Sequence, residues 1–273
     1  MIVIIIIMRF DGPIDLHERF FGRQDDYISQ RSFDSLVGIL IETRTILVDW
    51  NQLNDQPIVS CVKFSNSVDA QHNYGYTNLH FDGDFKHMEY IELILGGQRF
   101  DCIYPKFVGK LLTFDMMDKN IIPAVRCHDF RISAQHSGCF KIIYDVFQIT
   151  DPKKKNDFYE ILVNLNQFNG YQTIDKQSKI VRLDFNHPIT KINLISDHPI
   201  SSVVIDLCGH FLKFNSIDQK TYEYTFDKSV NFSGIDNAII KCEAQNQTQI
   251  AVFAQSLNIV KINNDMIGLM FSK

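Results

Sequence analysis

The sequence has little of what membrane proteins and nucleic-acid-binding proteins need. Its apolar N-terminal run, Ile2–Met8, is too short to span a bilayer and lacks the basic segment and cleavage site of a secretory signal. Lys and Arg number 27 against 32 Asp and Glu, a net charge of −5, and there is no basic cluster to displace counterions from a nucleic acid. We therefore expect neither a polytopic membrane protein nor direct nucleic-acid binding.

Paired cysteines are also missing. No CxxC spacing occurs in the 273 residues, which indicates free thiols in a reducing compartment rather than a disulfide framework. The six cysteines are Cys61, Cys102, Cys127, Cys139, Cys208 and Cys242.

Catalytic patterns are absent as well. The sequence contains no GxGxxG after a strand, no P-loop, no HExxH and no GxSxG elbow. Cys127 and His128 are adjacent, and neighbouring residues on a strand point to opposite faces, so they would not form a thiol–imidazole pair. We predict that the protein is not an enzyme, that it has no catalytic or cofactor-binding residues, and that it uses no cofactor.

Metal ligands do not occur at recognisable spacings. Asp82 and Asp84 in FDGD lack the remaining ligands of a calcium loop and indicate a turn, and the pair Asp25–Asp26 adds nothing further. Five histidines are candidate metal ligands, but none of them has the spacing of a zinc finger or a zinc protease. They are His128, His136, His187, His198 and His210. We predict no metal site.

What the sequence does have is a strong β pattern. Runs rich in β-branched and aromatic residues are bounded by Asn, Asp, Gly and Pro. The predicted strands are Val37–Asp49, Ile58–Phe64, Cys139–Thr150, Phe158–Leu165, Lys179–Phe185, Ile189–Ser196, Val203–Cys208, Tyr222–Phe226, Ala238–Glu243 and Gln249–Ala254. Helical spacing predicts one short helix, within Lys106–Met117. Many short strands with almost no helix predict a sandwich or a barrel.

Two segments of the chain look alike. Ile91–Phe100 and Val204–Phe214 each run an apolar strand into a glycine turn, at Gly97 and Gly209, and out into a second strand. This predicts two similar β-domains in tandem, with a boundary near the polar stretch Asn166–Ser178. We place the domains at residues 1–175 and 176–273.

Six blocks, taken together and in order, resemble the major capsid proteins of nucleocytoplasmic large DNA viruses, of the iridovirus and phycodnavirus type. They are Gly22–Ile28 (GRQDDYI), Tyr90–Tyr104 (YIELILGGQRFDCIY), Ile122–Ile132 (IPAVRCHDFRI), Leu183–Leu194 (LDFNHPITKINL), Tyr222–Asn237 (YEYTFDKSVNFSGIDN) and Ile259–Ser272 (IVKINNDMIGLMFS). The resemblance is distributed from Gly22 to the C-terminus.

The resemblance implies an all-β fold of two tandem jelly-roll sandwiches (a double jelly roll) with few short helices. It implies a structural capsid protein that forms homotrimeric, pseudo-hexameric capsomers of an icosahedral shell, assembled in the host cytoplasm and located in the virion. Its partners would be itself and other capsid proteins. The run Ile2–Met8 could then contact its own sheet, a neighbouring subunit or an internal viral membrane.

The same reasoning assigns roles in the second domain. We expect Asn186–Pro188 to form a corner, with His187 as a hydrogen-bonded turn residue, because proline cannot donate to the ladder. Phe232 should anchor a turn capped by Asn231, Ser233 and Asp236. The predicted core of that domain is Phe185, Ile192, Leu194, Val204, Leu207, Tyr224 and Phe226.

Other functions remain open at this stage. Within the capsid class, the chain could be a minor, penton or scaffold protein. From a different class, a lectin-like β-sandwich would use Trp50, Tyr74 and Tyr76 as stacking residues, unless those aromatics are core or loop anchors. A metal-dependent enzyme on a related barrel is the third alternative.

Overall fold

The structure is a computed structural model. It describes residues 33–50, 58–85, 87–105, 111–124, 127–135, 138–150, 158–175, 179–235, 237–263 and 266–271. The apolar run Ile2–Met8, the block Gly22–Ile28 and the residues Asp25, Asp26 and His136 lie outside these ranges, as do the side chain of Trp50 and the residue Asp236.

The first part of the chain folds into two facing antiparallel sheets. One has the strand order β1-β9-β3-β6, with β7 paired to β3, and the other has the order β2-β8-β4-β5. The bounds are β1 Gly38–Trp50, β2 Ile58–Lys63, β3 Tyr74–Gly83, β4 Met88–Leu95, β5 Gln98–Ile103, β6 Leu111–Thr113, β7 Ile122–Pro123, β8 His128–Ala134 and β9 Gly138–Ile149. Two short helices accompany them, α1 Ser67–Gln71 and α2 Asp115–Lys119.

The second part repeats this arrangement. Its sheets have the orders β10-β18-β12-β16-β15, with β19 paired to β18, and β11-β17-β13-β14. The bounds are β10 Phe158–Ile174, β11 Ile180–Arg182, β12 Pro188–Ser196, β13 Ile200–Leu207, β14 His210–Lys213, β15 Asn215–Ser216, β16 Thr221–Asn231, β17 Ala238–Ala244, β18 Thr248–Asn263 and β19 Met266–Leu269. A 3-10 turn, Phe232–Gly234, follows β16.

The two parts have the same connectivity. In each one, the first, eighth, third and sixth of eight principal strands form one sheet, in that order, and the second, seventh, fourth and fifth form the other. This alternation of strands between facing sheets is the jelly roll. The predicted fold class, an all-β double jelly roll with few short helices, is confirmed.

Each sandwich has its own hydrophobic core, and two long strands reach into both. The first core includes Ile161 and Val163 of β10 and Val260 and Ile262 of β18, whereas the second includes Ile174 at the far end of β10. Strands β10 and β18 pair from Phe158↔Asn263 to Ile174↔Thr248, with a bulge after Phe168. The division at residue 175 stays a prediction, and β10, which precedes it, pairs with the second set of strands.

The glycine turns occupy equivalent positions in the two sandwiches. Gly97 lies in the turn between β4 and β5, and Gly209 in the turn between β13 and β14, which are the corresponding hairpins. Both have positive φ, +81° and +95°, as do their preceding residues Gly96 and Cys208. Two consecutive residues with positive φ make the tight hairpin turn that suits twisted strands. The internal repeat predicted from the sequence is therefore present.

Several element bounds differ from the sequence prediction. The helix predicted at Lys106–Met117 is wrong over Leu111–Thr113, which pairs with β3, and α2 begins only at Asp115. A short apolar run fits a strand as well as a helix, and pairing to a neighbouring strand decides between them. Strand β10 continues nine residues past the predicted end at Leu165, because it pairs with β18 as far as Ile174.

The core prediction for the second sandwich is largely confirmed. Phe185, Ile192, Leu194, Leu207 and Phe226 are buried. Tyr224 is partly buried against the same core. The prediction for Val204 is wrong, because on β13 the buried residues are Ile200, Val203, Ile205 and Leu207, and Val204 lies on the other face. Among the described residues, no helix is long and apolar enough to cross a membrane.

Candidate functional site

His128 lies in an aromatic cluster at the centre of the first sandwich. Its side chain is fully buried, 5.4 Å from the Phe64 ring and 5.9 Å from the Tyr76 ring between centroids. Neither ring nitrogen has a hydrogen-bond partner among the described residues. Burial lowers the pKa of His128 from its ordinary value of 6.5 to about 3. His128 is thus a neutral core residue, and its neighbour Cys127, which precedes β8, is exposed.

The buried imidazole should make folding stability depend on pH. In the unfolded chain His128 takes up a proton as the pH falls below about 6.5, but in the folded chain it stays neutral down to a pKa of about 3. Its contribution is therefore fully present above pH 6.5 and is lost towards pH 3, at about 1.4 kcal/mol per pH unit at most. The free energy of unfolding of the original protein should therefore fall as the pH decreases from 6.5 to 3. In His128→Leu this dependence should be weaker by the equivalent of one proton, as measured by urea titration at several pH values.

The control for this prediction is His198→Leu, which replaces an exposed histidine. This variant keeps His128, so the proton that only the unfolded chain takes up should still be present in its slope. An unchanged slope in His128→Leu would contradict the assignment of a neutral, buried imidazole.

A buried charged network holds α1 against the first sandwich. Arg44 donates to both oxygens of Asp69, at 2.7 and 3.0 Å, and the Tyr76 hydroxyl donates to Oδ2 of the same carboxylate at 2.7 Å. Asn66 caps the helix by accepting the Asp69 backbone N–H at 2.9 Å. Burial alone would raise the pKa of Asp69, but the hydrogen bonds from Arg44 and Tyr76 outweigh it and hold the pKa below its ordinary value.

This network decides the role of one predicted stacking residue. Tyr76 is fully buried, so it cannot stack on a saccharide, and the interpretation as a core anchor is confirmed. Tyr74 is half-buried, with its ring 5.5 Å from that of His72. The stacking role predicted for Tyr76 in a lectin-like module is wrong, because its hydroxyl has an internal acceptor and its ring completes the core.

The predicted corner at Asn186–Pro188 is present. His187 has φ +71° immediately before β12 begins at Pro188, and its backbone N–H donates to the Ser233 hydroxyl at 3.1 Å. Asn231 accepts the Ser233 backbone N–H at 3.1 Å, and the Phe232 ring packs 5.9 Å from that of Phe185. The anchoring role of Phe232 is confirmed, and this turn joins two segments that the sequence places far apart.

The remaining candidate ligands do not come together. His198 is exposed, His210 lies at the start of β14, and Asp82 and Asp84 are exposed near the end of β3. In the part of the chain that the structure describes, no group of three or more His, Cys, Asp or Glu side chains is placed to hold a metal ion. All six cysteines are free thiols, and Cys102 and Cys242 are buried.

The sandwich junction is the most elaborate polar site that the structure describes. Asp101 on β5 is buried, and its Oδ1 accepts the backbone N–H groups of Cys102 and Asn166, each at 2.8 Å. Its Oδ2 accepts the Asn166 side-chain amide at 3.1 Å. On the same hairpin, Gln98 accepts the Leu269 backbone N–H at 3.2 Å. These contacts join β5 of the first sandwich to β10 and β19 of the second set of strands.

The hairpin turn itself touches β19. A Cβ added to Gly96 would lie 2.9 Å from Cγ2 of Ile267, so the glycine permits the close approach. On β18, Asn258 uses its side chain to bind both the N–H and the C=O of Phe271, at 3.2 and 2.8 Å. The C-terminal segment is thereby held across the junction.

Two open grooves flank the junction. The larger, about 560 Å³, is lined on one side by the start of β4, by Tyr104 after β5 and by Gln135 after β8, and on the other side by Tyr171 and Gln249. The smaller, about 280 Å³, lies between Arg99 and Asp101 on one side and Ser256 and Asn258 on the other. The hydrogen bonds of Asp101 and Gln98 make this site a joint between the two sandwiches.

Sequence reasoning missed these buried acids. Asp101 lies in the block Tyr90–Tyr104, and its signal is an acidic residue within the buried run Phe100–Ile103 of β5. Asp69 follows a helix-capping Asn by three residues, a spacing that is readable in the sequence. In both cases the partners, Asn166 and Arg44, are distant in sequence.

The two sandwiches define the chain as a double jelly-roll protein. Two solved structures from viruses have the same fold, so the resemblance read from the sequence blocks is confirmed at the level of the fold. A quasi-atomic model of the PBCV-1 virus capsid matches with a TM-score of 0.60 and 13% identity, covering 90% of this chain and 100% of the other. No protein-family model and no curated protein sequence matches the chain.

A second solved structure gives the same result. The crystal structure of VP54 of PBCV-1, fitted into a reconstruction of the virophage Sputnik, matches with a TM-score of 0.58 and 12% identity. The match covers 90% of this chain and 100% of that one. At these identities the similarity is one of fold.

Proposed function

We propose that the chain is a structural viral capsid protein, located in the virion and without enzymatic activity. The observation that carries the proposal is the repetition of one eight-stranded jelly roll within a single chain, with the two copies joined by the shared pair β10–β18 and by the Asp101 contacts. A shell subunit needs a rigid body that packs many times against copies of itself.

Two sandwiches in each chain favour a particular assembly. Three copies about a threefold axis place six similar sandwiches in a ring, which gives a pseudo-hexagonal outline that tiles a closed shell. The proposed assembly is therefore a homotrimeric capsomer of an icosahedral capsid, formed in the host cytoplasm and in contact with other capsid proteins. The negative net charge of −5 agrees with a role that does not include direct genome binding.

Light scattering coupled to size-exclusion chromatography tests the assembly. We expect the main species to have three times the chain mass of 31.7 kDa, because a shell contact must be specific and stable. The mass should persist at about 0.5 M salt, where charge-driven association of exposed surfaces is screened. A species with the mass of one chain at all concentrations would contradict the proposal.

A further inference from the structure

Strand β1 is an edge strand with exposed apolar side chains near both of its ends. It is 13 residues long, contains no proline, and hydrogen-bonds along one side to β9. In the described ranges, β1 ends its sheet, so its other side has ladder groups without a strand beside them. Ile39, Ile41 and Leu47 are 62%, 45% and 63% exposed. A bulge after Leu40 and the exposed charges of Glu42 and Asp49 protect part of this edge, but the apolar residues on either side of Glu42 leave it able to pair with another strand.

The inner side of the same edge is also incompletely covered. Ile46 and Val48 point towards the first core but are only partly buried. Across the sandwich, the edge strand of the opposite sheet is β2, where Val59 is 56% exposed. A further strand beside β1 would gain apolar contacts on both of its faces.

The chain contains one segment with the matching composition. In the run Ile2–Met8, Ile2, Ile4 and Ile6 alternate with Val3, Ile5 and Ile7, so both faces of an extended strand would be apolar. Strands with this pattern are those buried on both faces. Left alone, a β-branched run without charge is an aggregation hazard.

From these two observations we infer that the N-terminal run Ile2–Met8 adds to the free edge of β1 in the same chain, as an additional strand of the first sandwich. Pairing would give both segments ladder hydrogen bonds, and it would bury apolar side chains of both. The exposed apolar side chains of β1 then contact the added strand, and β1 is no longer at the edge of its sheet.

Chain length favours pairing within one chain. About 25 residues separate Met8 from Phe33, where the described part of the chain begins, and an extended chain covers about 3.3 Å per residue, so Ile2–Met8 can reach any point along β1. Tethering of this kind gives an effective concentration in the millimolar range. The N-terminal run of another molecule reaches a similar local concentration only inside an assembly.

Site-specific photocross-linking tests the inference in the full-length chain. Thr45 on β1 is exposed, and Thr45→p-benzoylphenylalanine places a photoreactive group beside the free edge. After irradiation and tryptic digestion, we expect a cross-link between the peptides Thr45–Lys63 and Met1–Arg9 in protein that migrates at the mass of one chain on a denaturing gel. Phe211→p-benzoylphenylalanine, at a 62% exposed position on the edge strand β14, is the control and should give no link to Met1–Arg9.

Hydrogen exchange gives a second, independent readout. Ile4→Asp with Ile6→Asp puts two charges on one face of the run, and amide exchange in β1 should become about tenfold faster, whereas exchange in β18 should not change. Cross-links found only at twice the chain mass would overturn pairing within the chain in favour of exchange between copies. No link to Met1–Arg9, or unchanged β1 exchange, would overturn strand addition altogether, whatever mass light scattering gives.

Discussion

Asp101→Ala should lower the free energy of unfolding by about 3 kcal/mol and should weaken the joint between the sandwiches. The substitution leaves the backbone N–H groups of Cys102 and Asn166, and the Asn166 amide, without their acceptor in a buried environment. Each unsatisfied buried donor costs about 1–3 kcal/mol. The measurement is equilibrium unfolding in guanidinium chloride, followed by fluorescence and circular dichroism.

The control for this prediction is Asp101→Asn. It retains an oxygen that can accept the two backbone N–H groups, so the loss should be about 1 kcal/mol. A double-mutant cycle with Asn166→Ala should show a coupling energy of about 1 kcal/mol, because the two side chains contact directly. A loss for Asp101→Ala no larger than that for Asp101→Asn would contradict the role of the carboxylate in the joint.

Asp69→Ala should also cost about 3 kcal/mol. It removes the acceptor of two N–H groups of Arg44, which keeps its bond to Glu42, and it leaves the buried Tyr76 hydroxyl without its acceptor. Breaking a buried ion pair costs about 3–5 kcal/mol, and the low end applies because Arg44 is partly exposed, at 26% of its side chain. Chemical denaturation measures the difference.

Two controls distinguish the loss of the Asp69 network from the loss of an exposed ion pair and from the loss of a single hydrogen bond. Lys119→Ala breaks the exposed Lys119–Asp115 ion pair and should change stability by less than about 0.5 kcal/mol. Tyr76→Phe removes only one of the donors to Asp69 and should cost about 1.5 kcal/mol. If Asp69→Ala behaved like Lys119→Ala, the network would not be what holds α1 in place.

Local sequence patterns predicted the parts of the fold that depend on local chemistry. Strands with strong β-branched patterns, such as β1 and β9, are within a residue or two of their predicted bounds. The glycines Gly97 and Gly209 identified equivalent hairpins in the two sandwiches. A tight hairpin turn needs positive φ at consecutive residues, and the glycine that favours this conformation is visible in the sequence. The order of the six sequence blocks then predicted the double jelly roll.

The sequence could not predict features that depend on distant partners. Leu111–Thr113 became a strand because β3 lies beside it, and β10 and β18 extend past their apolar segments because they pair with each other across both cores. The buried carboxylates of Asp69 and Asp101 are stabilised by Arg44 and Asn166, whose positions follow only from the folded chain. His128 likewise gave no sign that its imidazole would be enclosed by aromatic rings.

Electron cryo-microscopy of the purified assembly tests the proposed capsid role most directly. A capsomer of this fold should appear in class averages as a six-lobed ring with threefold symmetry, one lobe for each jelly roll. Rings with fivefold symmetry would indicate a penton instead, and fields of isolated two-lobed particles at every protein concentration would contradict a shell-forming subunit.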